Sequence, residues 1–173
     1  MSPSDSNAIR LRPATLADAA ILRRWESAPH LAGLLGDDDW EWETSLAVPH
    51  PAQRPFIAEV DGRPVGFLEI LDPFLDPEHY WGDLPPGYRA IDIWIGEAEF
   101  IGKGYGRAMM RQALDLCFAD PEVHTVLVDP LPTNTASHRF YERCGFTFRE
   151  RRRLGDDDCL VFQIDRSTWA GHV

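Results

Sequence analysis

The sequence predicts a mixed α/β domain, and three observations support this fold class. Short apolar runs of strand length alternate with longer segments of helical period along the 173 residues. A glycine-rich stretch, residues 102–106, separates an alternating strand pattern from a helical one. Asp, Gly and Pro turn signals divide the runs without a linker or an internal repeat, so a single domain is expected over residues 1–173.

The first half of the chain is predicted to form three strands and two helices. Thr15 and Asp18 match a capping box at the start of a helix that ends near Trp25. Asp61-Gly62 is a hairpin signal, although Arg63-Pro64 is expected to make that loop longer than two residues. The predicted strands are 9–12, 56–60 and 65–70, and a second, short helix is expected within 30–54.

The second half begins with the most regular pattern of the chain. Ile91, Ile93 and Ile95 alternate with Asp92 and Trp94 as a strand, and helical spacing follows from residue 105 to 118. The remaining predicted elements are a strand at 123–128, a helix at 135–143 between its cap Asn134 and Gly145, and two strands at 146–148 and 160–164 around the polar loop 155–158. The predicted order is β-α-α-β-β-β-α-β-α-β-β.

Composition and charge restrict the classes of partner. The formal net charge of −11 argues against nucleic acid, whose phosphates need a basic face, and favours a cationic ligand, although plain solubility would explain it equally well. No apolar run has membrane-spanning length and the N-terminus is unlike a signal peptide, so a cytoplasmic protein without membrane contact is expected. Residues 1–7 are polar and expected to be disordered. The three cysteines lack a Cys-x-x-Cys pair and the six histidines lack ligand spacing, which predicts reduced thiols and no metal.

Three glycines at alternate positions, Gly102, Gly104 and Gly106, lie between the central strand and the following helix. This arrangement directs backbone N–H groups and the positive end of a helix dipole at an anion, which predicts a phosphorylated ligand. The spacing fits neither the P-loop nor the dinucleotide-binding fingerprint. The alternative is that the glycines only allow a tight turn.

A second motif, residues 134–146, reads Asn-Thr-Ala-Ser-His-Arg-Phe-Tyr-Glu-Arg-Cys-Gly-Phe. Together with the glycine loop it resembles the GNAT superfamily of acetyl-CoA-dependent N-acetyltransferases, over nearly the whole chain in element order. The resemblance implies a mostly antiparallel, twisted sheet that splays between its fourth and fifth strands and is flanked by helices. Coenzyme A would pair with the splayed strand and lie on the loop. The cofactor-binding residues that the resemblance implies are Ile93, Trp94, Ile95, Ile101, Gly102, Lys103, Gly104, Tyr105, Gly106, Arg107 and Asn134. Many family members carry Gln or Arg in place of Ile101, so one side-chain contact differs here.

Four segments are similar to one group within that superfamily, the aminoglycoside 6′-N-acetyltransferases of type Ib. These segments are Arg89–Asp92, Phe118–Val123, Asp129–Asn134 and Tyr141–Phe146. The similarity is good from residue 56 to 148 and weak before it. Siderophore-type lysine acyltransferases share the scaffold, but they typically carry His in place of Asp92.

The resemblance gives the catalytic roles to Asp92 and Tyr141. Acetyl transfer to an amine needs an acceptor for the amine proton and a proton donor for the leaving thiolate. Asp92 would accept the proton, directly or through water, and Tyr141 would protonate the thiolate. A backbone N–H of residues 93–95 would polarise the carbonyl. The alternatives are a structural carboxylate at Asp92, which is costly in an apolar strand without a purpose, and a merely packed aromatic ring at Tyr141.

The expected acceptor is a cationic small-molecule amine. Asp129 lies at the end of its strand, where it would hold a second ammonium or, alternatively, form a turn. The acidic and aromatic segments 37–43 and 72–83 would form walls for the acceptor, unless their aromatic rings belong to the core. The predicted substrate-binding residues are Tyr80, Trp81, Asp83, Asp92 and Asp129.

Three functions are compatible with the sequence. The first is an aminoglycoside 6′-N-acetyltransferase, and the second is an acyltransferase of the same fold that acts on a lysine, polyamine or siderophore amine. The third is a coenzyme A-binding module without catalysis, against which the presence of both Asp92 and Tyr141 argues. A monomer or weak dimer is expected in each case.

Overall fold

The structure, a computed structural model, describes residues 9–35 and 39–170. The strands are β1 (Ile9–Pro13), β2 (Gln53–Val60), β3 (Arg63–Leu71), β4 (Tyr88–Ile95), β5 (Thr125–Val128), β6 (Thr147–Leu154) and β7 (Asp157–Asp165). The helices are α1 (Ala19–Glu26), α2 (Trp42–Ala47), α3 (Tyr105–Phe118), α4 (Thr135–Arg143) and α5 (Arg166–Ala170). The predicted order is confirmed, with α5 as an additional helix.

The expected disorder of residues 1–7 concerns residues outside the described ranges. Within those ranges, no helix combines the length and the apolar character needed to cross a bilayer.

The seven strands form one sheet in the order β1-β2-β3-β4-β5-β7-β6. Neighbouring strands are antiparallel except β4 and β5, which run parallel. That parallel pairing is short, because it joins Tyr88–Ala90 to Thr125–Leu127 while β4 continues to Ile95. The two strands therefore separate beyond Ala90, which is the splay expected of the fold.

Alternation along β4 sends its side chains into two different layers. Ile91, Ile93 and Ile95 belong to the core that includes α3. Trp94 points to the opposite face, where it packs in a second core with α1 and α2. Asp92 is two residues from Trp94 and therefore lies on the same face, away from α3.

The hairpin between β2 and β3 is tighter than the sequence suggested. Only Asp61 and Gly62 join the strands, because Arg63 pairs with Val60 in the sheet. The φ angles of the two turn residues are 50° and 78°, which is the geometry of a type I′ turn. A register shift occurs where Pro64 enters the ladder without an N–H to donate. The expectation of a longer loop was therefore wrong.

The last hairpin is also tighter than expected. β6 extends to Leu154 and β7 begins at Asp157, so the predicted loop 155–158 is reduced to two residues.

The predicted helix signals are confirmed: the Asn134 side chain accepts the N–H of Ser137 at 3.3 Å, and Thr15 and Asp18 form the capping box. The chain then extends over β7 and α5 to residue 170.

Candidate functional site

The separation of β4 from β5 opens a cavity of about 1040 Å³. Residues 90–95 of β4 line it together with residues 129–131 and α4. We call one part of this cavity the loop end, which is lined by Gly102, Gly104, Gly106, Arg107 and Arg143. We call another part the acidic end, which is lined by Glu69, Asp76, Tyr80, Asp92 and Asp129.

Backbone groups dominate the loop end. Gly102 and Gly104 have φ angles of 74° and 85°, and no atom lies within 4 Å of the position that a Cβ would take. Gly104 is the N-cap of the 14-residue helix α3, whose first N–H groups have no acceptor within the helix. The helix dipole and the side chains of Arg107 and Arg143 add positive charge at the same place. The loop end is therefore suited to bind a phosphate or pyrophosphate.

Carboxylates from three neighbouring strands meet at the acidic end. Glu69 of β3 pairs in register with Asp92 of β4, and Asp129 directly follows β5. Asp76 joins them from the loop between β3 and β4. The arginines among the described lining residues belong to the loop end. The cavity is consequently positive at one end and negative at the other, and the acidic end is suited to bind a cation.

Glu69 is nine-tenths buried, with 9% of its surface exposed. Burial and then the negative charges of Asp92 and Asp76 raise the pKa of the Glu69 carboxyl to about 8. Within the described ranges, the structure gives this carboxyl no Lys or Arg partner. A cation that entered the acidic end would stabilise its ionised form.

Hydrogen bonds hold Asp129 and the loop before β4 in place. Tyr80 donates its hydroxyl to Oδ2 of Asp129 at 2.7 Å, and burial together with the charge of Asp129 raises the pKa of Tyr80. Asp76 accepts the backbone N–H groups of Glu78 and Tyr80 at 3.1 and 3.0 Å, which fastens the loop. Trp81 is buried and contacts Tyr80 edge-on at 5.9 Å. These aromatic residues therefore belong to the core and also line the cavity.

Tyr141 on α4 is buried and lines the cavity. Its ring packs against Phe140 and Phe146 at centroid distances of 5.4 and 5.7 Å. Burial, followed by the negative charges of Asp92 and Asp129, raises the pKa of Tyr141, so its hydroxyl stays protonated at neutral pH. The packed ring and a role in proton donation are therefore compatible interpretations of this residue.

The predicted site residues are mostly brought together by the fold. The predicted cofactor residues that line the cavity are Ile93, Trp94, Ile95, Ile101, Gly102, Gly104, Gly106, Arg107 and Asn134. Lys103 and Tyr105 do not line it. Among the predicted substrate residues, Tyr80, Trp81, Asp92 and Asp129 line the cavity. Asp83 does not: its side chain is 99% exposed and lies 3.5 Å from His79. Of segment 37–43, residues 39–41 line the cavity, whereas Asp37 and Asp38 lie outside the described residues.

Sequence reasoning missed Glu69. The signal that singled out Asp92, an acid surrounded by apolar strand residues, is also present in Phe67-Leu68-Glu69-Ile70. What the local pattern does not contain is the pairing of β3 with β4 that places Glu69 opposite Asp92. His30 was missed as well: its Nε2 lies 2.9 Å from the carbonyl oxygen of Ile95, and no motif in the sequence indicates that contact.

The chain is similar to known proteins over most of its length. The sequence pattern of the family described as Acetyltransferase (GNAT) domain matches residues 14–154. The chain is 28% identical over 152 residues to aminoglycoside N(6′)-acetyltransferase type 1 of Klebsiella pneumoniae, covering 83% of this chain and 76% of that protein. It is 27% identical over 153 residues to lysine N-acyltransferase MbtK of Mycobacterium tuberculosis, covering 86% of this chain and 70% of that protein.

A solved structure is similar over almost the full length. The crystal structure of aminoglycoside acetyltransferase AAC(6′)-Ib in complex with coenzyme A and kanamycin matches with a TM-score of 0.85 and 25% sequence identity. The match covers 95% of this chain and 98% of that chain.

Proposed function

The chain belongs to the GNAT family and is an acetyl-CoA-dependent N-acetyltransferase, and we propose that its acceptor is the 6′-amine of an aminoglycoside. One observation carries this proposal: the acidic end and the loop end are parts of one cavity. An aminoglycoside carries several ammonium groups on sugar rings. Carboxylates spread over Glu69, Asp92 and Asp129, beside the rings of Tyr80 and Trp81, match such a ligand better than they match a single amine.

The residues of the loop end fit coenzyme A. The backbone N–H groups of 102–107 would hold its pyrophosphate, and the edge of β4 from Ile93 to Ile95 would pair with its pantetheine arm. Asn134, which lines the cavity at the start of α4, would lie beside the same arm. When bound, acetyl-CoA supplies the activated acetyl group.

The chain's own residues would accept and donate the protons of the reaction. Asp92 would hold the acceptor ammonium and take one of its protons, which leaves a nucleophilic amine. Tyr141 would give its proton to the departing sulfur and regain one from the attacking nitrogen. A backbone N–H of residues 93–95 would stabilise the negative charge that develops on the carbonyl oxygen.

A panel of amines tests the acceptor assignment. Kanamycin, spermidine and lysine would each be mixed with the protein and acetyl-CoA, and free thiol would be measured over time. Kanamycin should react fastest, and its KM should rise steeply with salt while the KM of acetyl-CoA changes less, because screening weakens several charge pairs at once. Acetylation of lysine or spermidine without acetylation of kanamycin at any salt concentration would contradict the proposal.

A glycine variant tests the cofactor assignment. Gly104→Val should weaken coenzyme A binding in calorimetry by about tenfold or more, because a side chain would occupy the space through which phosphate approaches the backbone. Gly62→Val is a matched control, since Gly62 also has positive φ and open space but lies in the β2–β3 turn. Equal coenzyme A affinities for both variants would remove the loop end from the cofactor site.

A lysine or polyamine acceptor is the second candidate. The observation in its favour is the similarity to lysine N-acyltransferase MbtK, which covers a share of this chain comparable to the aminoglycoside relative. The spread of carboxylates over three strands argues for the acceptor with more positive charges. The amine panel separates the two candidates.

A further inference from the structure

Glu69 lies in the walls of two cavities at once. The first is the cavity between β4 and β5, and the second, of about 270 Å³, lies between α2 and β2. The residues that line both cavities are Ser45, His50, Gln53 and Glu69. Glu69 therefore borders the smaller cavity as well as the acidic end.

The groups that face Glu69 are mostly acidic. Asp92 approaches from β4 and Asp76 from the loop after β3, and both raise its pKa. His50, before β2, accepts the Ala52 N–H with Nδ1 at 3.1 Å, so this nitrogen does not donate to Glu69. Arg54 lines the smaller cavity, but its guanidinium is stacked over the ring of Phe56 at 5.5 Å. Within the described chain, Glu69 thus has neither a cation nor a hydrogen-bond donor as a partner.

Glu69 and Asp92 lie in register on neighbouring strands, and ionising both carboxyls costs free energy because Glu69 is buried. Directly opposite residues have Cβ atoms about 5 Å apart, and burial reduces the screening of their charges. The pKa of Glu69, about 8, reflects both effects. At neutral pH the pair therefore favours a state with one proton and one negative charge.

We propose that Glu69 and Asp92 form a carboxyl pair that holds one proton before the acceptor binds, releases it to solvent when an ammonium enters, and takes one back from that ammonium during acetyl transfer. The proposal rests on the proposed function, because the acceptor must be a cation. Binding of the ammonium makes both carboxylates ionised. As its nitrogen bonds to the acetyl carbon and the carbon–sulfur bond breaks, one of its three protons goes to the pair and one reaches the sulfur. The third remains on the amide, and the pair is back in its resting state.

Proton counting by calorimetry tests this cycle. Kanamycin and spermidine would be titrated into the protein at pH 7 in two buffers of different ionisation enthalpy, which gives the number of protons exchanged on binding. For both ligands, Glu69→Gln should release fewer protons than wild type, by up to about one, because Gln cannot hold the exchangeable proton. Glu122→Gln makes the same chemical change at an exposed position and should match wild type. Glu69→Asp keeps a carboxyl and should restore part of the release.

The free protein provides a second measurement that needs no acceptor. In ¹³C NMR of labelled glutamate carboxyls, the signal that is missing from Glu69→Gln should titrate near pH 8 in wild type and at lower pH in Asp92→Asn. Titration near the ordinary pKa of 4.5 in wild type would overturn the proposal. So would equal proton counts for wild type and Glu69→Gln. Normal proton release without acetylation of kanamycin would instead overturn the aminoglycoside assignment and leave the carboxyl pair in place.

Discussion

Asp18 and Glu69 are both buried carboxyls, but their surroundings are opposite. Arg12 donates hydrogen bonds from Nη1 and Nη2 to the two oxygens of Asp18 at 2.9 and 2.8 Å, and Thr15 adds its backbone N–H at 2.8 Å. These donors hold the pKa of Asp18 below its ordinary value. Glu69 instead faces Asp92 and Asp76, and its pKa is raised to about 8.

The difference shows how the chain uses buried acids for two purposes. Where the fold supplies an arginine, as at Asp18, the carboxylate joins β1 to the first helical turn and stabilises the fold. Where the fold supplies further acids, as at Glu69, the ionised form is destabilised, and a bound cation would stabilise it. Under the proposed function, the acidic end would lower the stability of the free protein and regain that free energy when a cation binds.

The largest effect is expected at Asp92, which lines the acidic end of the cavity. Asp92→Asn removes the charge and the proton acceptor while preserving shape, so turnover should fall about a hundredfold, with acetyl-CoA binding unchanged. Steady-state kinetics with thiol detection and calorimetry would measure the two quantities. Asp115→Asn, at an exposed position on α3, is the matched control. Unchanged turnover over the whole pH range would assign Asp92 a structural role.

Substitution of Arg12 removes the ion pair that holds Asp18. Arg12→Met should lower the free energy of unfolding by about 3 kcal/mol at pH 7, because Asp18 is left buried without its partner. The pKa of Asp18 is lowered in the folded state, so this stabilisation is present above its ordinary value of 3.8 and is lost as the pH falls through the folded-state pKa. The difference between variant and wild type should therefore shrink below about pH 4.

The control for this experiment is Arg151→Met, which removes an arginine from an exposed pair with Asp158. Such pairs contribute about 1 kcal/mol or less, so chemical denaturation should separate the two variants clearly. Equal losses of stability would mean that burial of Asp18 does not matter.

Glu69→Gln should stabilise the folded protein at high pH, whereas Arg12→Met should destabilise it. The folded-state pKa of Glu69 lies above its ordinary value of 4.5, so the folded protein binds this proton more tightly than the unfolded chain. Wild type should therefore lose stability as the pH rises from 4.5 to about 8, and the loss should be constant above that range. The stability of Glu69→Gln relative to wild type should therefore increase as the pH rises from 4.5 to about 8, because Gln has no proton to lose. A stability difference that does not depend on pH would contradict the raised pKa.

The smallest effect is expected at Asp129, whose carboxylate accepts the Tyr80 hydroxyl. Asp129→Asn should raise the KM for kanamycin about tenfold, as for the loss of one charge-assisted contact, and leave the KM for acetyl-CoA unchanged. Tyr80→Phe removes the hydrogen bond but keeps the charge, so its KM for kanamycin should change less. The reverse order would indicate that Asp129 acts mainly by fixing the loop.

The strand, the glycine loop and the helix cap beside the cavity could be predicted because their signals are local. The strand pattern of 91–95, the glycines at 102–106 and the cap at Asn134 each depend on residues within a few positions of one another. The same holds for Thr15 and Asp18, whose capping box is confirmed. The loop between β2 and β3 was predicted wrongly because Pro64 was assigned to the turn, whereas a register shift admits it to the strand.

By itself, the sequence determined the order of elements, the glycine loop before α3 and the acid Asp92 within an apolar strand, since short-range patterns encode these three features. The role predicted for Tyr141 depended on the family resemblance. Only the tertiary structure decided that Glu69 faces Asp92, that Asp76 joins them and that Asp83 stays outside in solvent. Those relations depend on the register of β3 against β4 and on the course of the long loop between them. Side chains far apart in sequence meet there through strand pairing, and their pKa values follow from that proximity and from burial rather than from the residues next to them in the chain.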